Sequence, residues 1–383
     1  MKIVFVCGSL EEGKDGVGDY SRRLAGEVIR LGHQVSIISL MDKFVETQIE
    51  EVQYDEINSI LVLRIPFKKN NKSNFSVAKA WIDKLNPDWI SLQYVSYSFN
   101  NRGFPFYFGN KFSKITHKHN LHIMFHELWV GLDEGCSKKD IIFGFIQRLM
   151  IRDLIKKTAP KLITTQSFLY SQELSKLEIN PYILPLFSNI KRIGIEGKPQ
   201  NSFKKFMPHS SICFGVFGTI HEKNNIRLFA GELKEFCNKY HIEARLILIG
   251  RGGKNKDFFA TICQQNKITI TAHEEISSEE VSKLLLSLDF GITTSNYTKI
   301  DKSGSVVAML EHGLSVISLA EKVETNANAL IKSYLGKKFC NIYEYTQGEL
   351  ENFLLSERII PEFEGLNVVS DQLLSMYDEF NQN

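Results

Sequence analysis

The chain alternates short apolar runs with stretches of helical period, beginning at its first residues. An apolar run at residues 3–6 ends in Cys7-Gly8-Ser9, and a polar loop with Gly13, Gly16 and Gly18 follows. Residues 20–31 place apolar side chains at helical spacing, Gly32-His33 punctuates the end, and residues 35–38 form a second apolar run. Strand, loop, helix and strand in this order open a doubly wound parallel sheet. Such sheets bind ligands at the carboxyl ends of their strands, where glycines allow close approach to the backbone. A ligand site is expected near residues 8–20.

The rhythm continues with strands predicted at 60–63, 89–93, 122–125 and 162–165 and helices at 77–85, 141–157 and 168–177. Between 180 and 210 it breaks, with Pro181, Pro185, Gly194, Gly197, Pro199 and Pro208 among lysines and polar residues. That is a linker composition. Strands then recur at 212–217, 244–249, 268–271, 290–293 and 315–319, alternating with helices at 226–240, 256–265, 278–287 and 303–312, and a last helix is predicted at 370–380. The pattern predicts an N-terminal Rossmann-like domain over 1–190, a linker over 191–211 and a second Rossmann-like domain over 212–365. A C-terminal helix over 366–383 is placed to pack back on the first domain. Two α/β domains of this kind are expected to face each other across a ligand cleft.

A length of 383 residues suits two domains, and shares of 43% hydrophobic and 23% charged residues are those of a soluble globular protein. A net charge of +2 leaves no nucleic-acid footprint. The six cysteines lack CxxC spacing, which suits a reducing cytoplasm and argues against a disulfide frame or a structural zinc site. The opening apolar run is too short for a signal peptide, and no run approaches the roughly 18 residues of a spanning helix. A cytoplasmic protein is expected.

A dinucleotide site is the first candidate to weigh. Gly16-Val17-Gly18 begins a GxGxxG, but Ser21 holds the third glycine position. A long loop also separates the strand from the helix, whereas the fingerprint needs its glycines in the tight turn directly after the strand. Asp42 stands roughly where a ribose-binding acid would, which is equally the place of a solvated loop aspartate. NAD is not expected.

Other residues point to phosphate. Gly218 and His221-Glu222-Lys223-Asn224 follow the strand predicted at 212–217, and Lys223 would face an anion there. Lys302-Ser303-Gly304-Ser305 opens a helix and combines free backbone N–H groups, a helix dipole, hydroxyls and a cation. Taken alone, Ser303 reads as an ordinary N-cap; with Lys223 on the same sheet edge, the segment reads as a phosphate cradle. In the first half, His126-Glu127 follows the strand at 122–125. Such a histidine can donate to a ligand hydroxyl or take a proton, with the carboxylate beside it tuning it. The plainer alternative is a buried histidine bonded to a backbone carbonyl. His117, His119, His122 and His126 mix both faces of a strand, so no shared metal ion is expected.

The segments FGTIHEKNN (217–225) and KSGSVVAMLEHGLSVIS (302–318) resemble the nucleotide-sugar-binding half of GT-B glycosyltransferases. The resemblance is to the family 4-type enzymes (glycosyl transferases group 1) of bacterial polysaccharide and glycan assembly. GVGDYSRRLAGEVIRLGHQVSII resembles their opening loop and helix, and LQYVSYSFNNRGFP and MFHELWVG resemble motifs of a subset. It covers residues 1–190 and 212–320. It implies a GT-B fold of two Rossmann-like domains and transfer of a sugar from a nucleoside diphosphate sugar to a hydroxyl of a glycan, lipid-linked saccharide or other acceptor. Retention of configuration, proton transfer assisted by the leaving phosphate and independence from metals or other cofactors are implied too.

On this resemblance the donor falls to Gly218, Thr219, Lys223, Gly250, Arg251, Lys302, Ser303, Gly304 and Ser305, with the base near residues 250–253 and 272–277. His126 falls near the transferred sugar, Glu127 is placed to be a general base if the outcome is inversion, and Lys223 would steady the departing diphosphate. The acceptor falls to Gly16, Val17, Gly18, Asp19 and Tyr20 and to the aromatic stretch 94–108 with Tyr94, Tyr97 and Arg102. Two departures stand out. The family arginine after the first glycine is Thr219 here, and its two glutamates, eight positions apart, align with Ile300 and Ala308. Glu311 lies three residues beyond Ala308 and is either a replacement or a surface residue. A sugar-nucleotide epimerase of the same fold, or a non-catalytic nucleotide- or glycan-binding protein, is the alternative.

The helix predicted at 141–157 is apolar at Ile142, Phe145, Ile146 and Leu149 and basic at Arg148, Arg152, Lys156 and Lys157. The pattern reads first as a core-facing amphipathic helix with a solvated basic face. The rival is a peripheral contact with anionic lipid.

Overall fold

The computed structural model describes residues 1–68, 72–132, 135–193, 210–222, 224–321, 338–344, 347–356 and 365–382. Most of the predicted linker, residues 194–209, and Lys223 lie outside the described residues. Two compact units divide the chain: Met1–Leu184 together with Leu366–Asn383, and Pro185–Gly365. Each has its own hydrophobic core.

The first unit is built on eight strands: β1 (Lys2–Cys7), β2 (Gln34–Asp42), β3 (Ile49–Asp55), β4 (Asn58–Pro66), β5 (Trp89–Tyr94), β6 (Asn120–Phe125), β7 (Leu162–Thr165) and β8 (Tyr182–Ile183). Their order is β3-β4-β2-β1-β5-β6-β7-β8, parallel except for the antiparallel pair β3 and β4. Helices α1 (Gly16–Arg30), α2 (Lys72–Leu85), α3 (Ser96–Phe99), α4 (Phe108–Thr116), α5 (Lys138–Thr158) and α6 (Phe168–Ser175) connect them. Strands β1 and β5 are buried almost throughout, as continuous apolar runs covered on both faces should be. Strand β3, IEEVQYD, alternates buried-side and exposed positions at the sheet edge. Its charged residues give no apolar run, and the hairpin it forms with β4 is not evident from the sequence pattern.

The second unit has six parallel strands, β9 (Ser211–Phe217), β10 (Glu243–Ile249), β11 (Thr269–His273), β12 (Phe290–Thr293), β13 (Ser315–Ser318) and β14 (Phe339–Asn341). They follow the order β11-β10-β9-β12-β13-β14. Its helices are α7 (Ile226–Tyr240), α8 (Lys256–Gln265), α9 (Ser278–Ser287), α10 (Gly304–Glu311) and α11 (Gln347–Leu354). In both units the strand order reverses beside the first strand, β1 or β9, which is where open α/β sheets form ligand crevices.

The C-terminal helix Gly365–Gln382 packs on the first unit. Tyr377 stacks on Trp89 with ring centroids 4.3 Å apart, and Asn381 accepts from Trp89 Nε1 at 3.1 Å and from Asn120 at 3.0 Å. Asn367 donates to Glu27 at 3.1 Å.

Helices α1 and α5 depart from the sequence reading in ways that bear on the site and the surface. Helix α1 starts at Gly16, four residues before the expected start, because Asp15 caps it by accepting from Val17 and Gly18 N–H at 3.0 Å each. Helix α5 buries Gly144, Gln147, Ile151 and Leu154, so the expected core face of Ile142, Phe145 and Leu149 is turned to solvent. Loop packing decides the roll of the helix: a Cβ on Gly144 would fall 2.0 Å from the Val130 carbonyl oxygen, and Gln147 accepts from Val130 N–H at 2.9 Å.

Candidate functional site

In the first unit, residues 8–15 form a loop at the carboxyl end of β1, held by charge on three sides. Arg22 on α1 donates to the Leu10 carbonyl at 2.5 Å, to Asp19 at 2.8 Å and to Gln53 of β3 at 3.0 Å. Asp19 accepts from Gly13 N–H at 3.1 Å, with Gly13 at φ +67°. Arg64 of β4 donates to Glu11 and to Asp42, both at 2.8 Å. Asp42 is fully buried and accepts also from Leu10 N–H, Ser39 Oγ and Phe44 N–H. Burial pushes its carboxyl up, but the Arg64 and Phe44 hydrogen bonds, Ser39 and the Arg64 charge outweigh this and hold it below its ordinary value. Asp42 is thus committed to the protein and offers nothing to a ribose. Only glycine fits at two points: a Cβ on Gly8 would fall 2.5 Å from Ser98 Cβ, and one on Gly18 would fall 2.4 Å from the Ser9 carbonyl oxygen.

His126 is buried at the end of β6, and its ring meets the edge of Tyr20 at 4.9 Å. Its Nε2 donates to Gln93 Oε1 at 2.8 Å, which makes Nδ1 the basic nitrogen of the neutral ring. Gln93 donates in turn to Ser91 Oγ at 2.8 Å, and Ser91 reaches His122 Nδ1 at 2.8 Å. His122 also meets Tyr377 at 2.9 Å and Thr164 at 2.8 Å, and burial, with the neighbouring His126, pushes its pKa down to about 3. His122 stays neutral and structural, and a buried polar chain links it through Ser91 and Gln93 to His126. Tyr20 is buried against the Gln166 side chain, and burial raises its phenol pKa. The amide nitrogen of Gln166, buried at the end of β7, has no hydrogen-bond partner among the described residues. Glu127 is exposed beside His126.

The aromatic stretch divides. Tyr94 is core, packed on Phe99, Phe108 and Phe125, and burial pushes its pKa up to about 12; it is removed from the expected acceptor set. Tyr97 and Arg102 are exposed, as is Gly16, while Val17 is half-buried. His119 bonds the Pro87 carbonyl at 2.8 Å and His117 the Lys114 carbonyl at 3.1 Å, so neither joins His126.

In the second unit, the segments after β9 and β12 meet the start of α10, and the end of β10 lies beside the first of them. Gly218 follows β9 at φ +90°, where a Cβ would touch Ser305 Cβ at 3.7 Å, and a Cβ on Gly250 would lie 3.8 Å from Gly218 Cα. Gly250 (φ +92°) donates to the His273 carbonyl at 2.8 Å, and the Gly252 carbonyl accepts from Ile220 N–H at 2.8 Å. A Cβ on Gly253 would meet Thr219 at 3.3 Å. Ser303 is the N-cap of α10 by position, but its hydroxyl makes no capping bond: it lies 3.0 Å from Ser295 Oγ and 3.2 Å from Ser305 Oγ. The ordinary capping role is corrected to a row of three hydroxyls at a helix N-terminus. Lys302 is half-buried beside this row, and Arg251 is exposed and paired with Glu275 at 2.9 Å.

Thus Gly218, Thr219, Gly250, Ser303, Gly304 and Ser305 come together. Glu311 does not join them. It ends α10, about 12 Å of helix from Ser303 at 1.5 Å per residue. Its carboxylate accepts from Ser188 N–H at 3.0 Å, and its carbonyl accepts from Arg192 at 3.1 Å. Its expected role as a replacement carboxylate is corrected to a structural tie. Ile300 and Ala308, at the places of the two family glutamates, are buried apolar core. Sequence reasoning missed Gln93, Gln166 and Ser295. The signal for Gln93 was a polar residue within a continuous apolar strand.

No family model and no curated protein matches the chain. Solved structures do match in fold. The catalytic domain of Starch Synthase IV from Arabidopsis thaliana, bound to ADP and acarbose, is similar at TM-score 0.53 and 11% identity, covering 100% of both chains. A glycosyltransferase from Rickettsia africae ESF-5 is similar at TM-score 0.53 and 16% identity over 100% of this chain and 99% of that one. UDP-GlcNAc 2-epimerase from Neisseria meningitidis, bound to UDP-GlcNAc, is similar at TM-score 0.54 and 10% identity over 99% and 100%. The fold is GT-B, with two parallel-sheet Rossmann-like domains.

Proposed function

We propose that the protein is a glycosyltransferase that moves a sugar from a nucleoside diphosphate donor to an acceptor hydroxyl. The observation that carries this reading is the meeting of Gly218 with the hydroxyl row Ser295, Ser303 and Ser305 at the N-terminus of α10, with Gly250 beside Gly218. Backbone N–H groups and the positive end of a helix dipole suit a pyrophosphate, hydroxyls can donate to it, and side-chain-free glycines let it approach. Lys302 is the neighbouring cation, and Lys223 joins the proposal on its sequence position alone. Charge on the departing diphosphate would fall to these donors. His126, held by Gln93 through Nε2, is the group for proton exchange or for binding a sugar hydroxyl, with Glu127 beside it. The buried amide of Gln166, beside the Tyr20 phenol, is a further group able to bind a hydroxylated ligand. The acceptor is placed by the loop 8–19 with Tyr97 and Arg102, and a glycan or lipid-linked saccharide fits that mixture of aromatic and polar groups.

The fold similarity to a UDP-GlcNAc 2-epimerase favours one rival, inversion at C2 of a sugar nucleotide. The deciding experiment titrates UDP-, GDP-, ADP-, dTDP- and CMP-sugars into the full chain by calorimetry and then follows product with and without acceptor. Binding that weakens about tenfold or more in Ser303→Ala with Ser305→Ala supports the donor site. Sugar transfer or donor hydrolysis supports the transferase, and reversible C2 inversion supports the epimerase. Affinity unchanged by the two substitutions rejects the donor assignment.

A further inference from the structure

Helix α5 carries apolar side chains on two opposite faces. Gly144, Gln147, Ile151 and Leu154 face the core. At about 100° per residue, Lys138, Ile141, Ile142, Phe145, Leu149, Arg152 and Lys156 fall in one stripe roughly 100° wide on the far side. Its apolar members are open to solvent: Ile141 55%, Ile142 59%, Phe145 60% and Leu149 48%. The patch continues into the loop before α4. Phe104 meets Phe143 of α5 edge-on at 5.2 Å and stacks on Phe106 at 6.0 Å, and Phe106 and Tyr107 are themselves exposed. Four adjacent large apolar side chains left in water cost free energy unless something covers them, and contiguous patches of this kind mark contact surfaces.

Charge identifies what covers this one. The stripe holds no acid, begins at Lys138 and ends in Arg152 and Lys156. Lys139 lies over the Phe143 ring at 5.2 Å and Arg148 over Trp129 at 5.9 Å, adding cations at its margins. Asp153, at the flank, is taken up by Lys157 at 2.7 Å. A second copy of the chain is a poor occupant: a two-fold axis through the stripe would bring one copy's Lys138 toward the other's Arg152 and Lys156, like charge against like. A bilayer with anionic headgroups suits it, since the apolar row can enter the acyl boundary while lysine and arginine stems reach up to phosphate. No described helix is long and apolar enough to cross a membrane, so the contact is at the surface. We propose that the outer face of α5, with Phe106 and Tyr107, docks the protein on an anionic lipid bilayer. This does not rest on the donor or on any catalytic step.

The test is co-sedimentation of the full chain with phosphatidylcholine vesicles, with and without phosphatidylglycerol, paired with ultracentrifugation of the protein alone. Binding is expected on the anionic vesicles, weaker on neutral ones and weaker at high salt. Phe145→Ser with Leu149→Ser should lower the partition coefficient about tenfold or more. Lys138→Gln with Arg152→Gln should lower it about fivefold per charge. These side chains are exposed, so melting temperature should hold, which separates lost docking from lost folding. No binding to anionic vesicles overturns the proposal, as does binding that both variants retain in full. A dimer that Phe145→Ser with Leu149→Ser dissolves, without vesicle binding, assigns the face to self-association instead.

Discussion

Replacing Arg64 by methionine should expose how much of the first unit rests on one buried charge. Asp42 is fully buried and Arg64 is 8% exposed, with Nε and the carboxylate 2.8 Å apart. Methionine keeps much of the stem volume but leaves Asp42 charged in an apolar setting, its other partners being neutral donors: Leu10 N–H, Ser39 and Phe44 N–H. Breaking such a pair from one side typically costs about 3–5 kcal/mol, a large part of a domain stability of roughly 5–15 kcal/mol. The deficit should depend on pH. In the native protein the Asp42 pKa is held below its unfolded value, so its contribution is present above that value and is lost as pH falls through the folded pKa. Without Arg64, burial is no longer outweighed and the folded pKa should rise above the unfolded one. The variant's penalty is then greatest at neutral pH and shrinks as acid neutralises the carboxyl. Urea unfolding followed by tryptophan fluorescence reads the first unit selectively, because all three tryptophans, Trp81, Trp89 and Trp129, belong to it. Asp42→Asn in the same chain should restore part of the loss, since the amide carries no charge and its one oxygen, at the Oδ2 position, still accepts from Leu10 N–H and Ser39 Oγ. A loss under about 1 kcal/mol, or one that does not change between neutral and acid pH, would refute the reasoning.

Three further outcomes follow from the strand-end sites. Gln93→Leu should leave nucleotide affinity unchanged and lower turnover by about 10²-fold if His126 exchanges a proton, with Gln93→Glu shifting the pH–rate profile; steady-state kinetics beside calorimetry separates the two. Glu311→Gln should leave donor affinity and turnover intact and lower the melting temperature slightly, as expected of a tie to Ser188 N–H; loss of turnover in a stably folded variant would return Glu311 to the site. Tyr377→Phe should cost about 1 kcal/mol through the lost hydrogen bond to His122, read by the same tryptophan signal.

Long apolar runs and helix-period stretches located most elements well: α7, α8, α9, β7 and β12 have the bounds their periodicity predicts. These elements bury one clear face or lie inside a parallel sheet, so local pattern and tertiary environment agree. Strand β3 has no apolar run, and the start of α1 turns on a single capping residue, Asp15. The glycine and serine segments of the second unit could be read as a phosphate cradle because their chemistry is contiguous in sequence. Gln93, Gln166 and Ser295 could not, because each acquires its role only from strands and loops distant along the chain.

Sequence alone determined the alternation of strand and helix, the two-domain α/β organisation and the glycine-marked strand ends, since these follow from periodicity and backbone permissiveness within short windows. Only the tertiary structure decided which polar groups meet. It paired Asp42 with Arg64, hung His126 on a chain reaching the C-terminal helix, and turned Ser303 from a cap into a member of a hydroxyl row. It also rolled α5 so that Phe145 and Leu149 face outward. A helix with two apolar faces has no preferred roll from periodicity, and the contacts of Gly144 and Gln147 with the loop at Val130 make that choice.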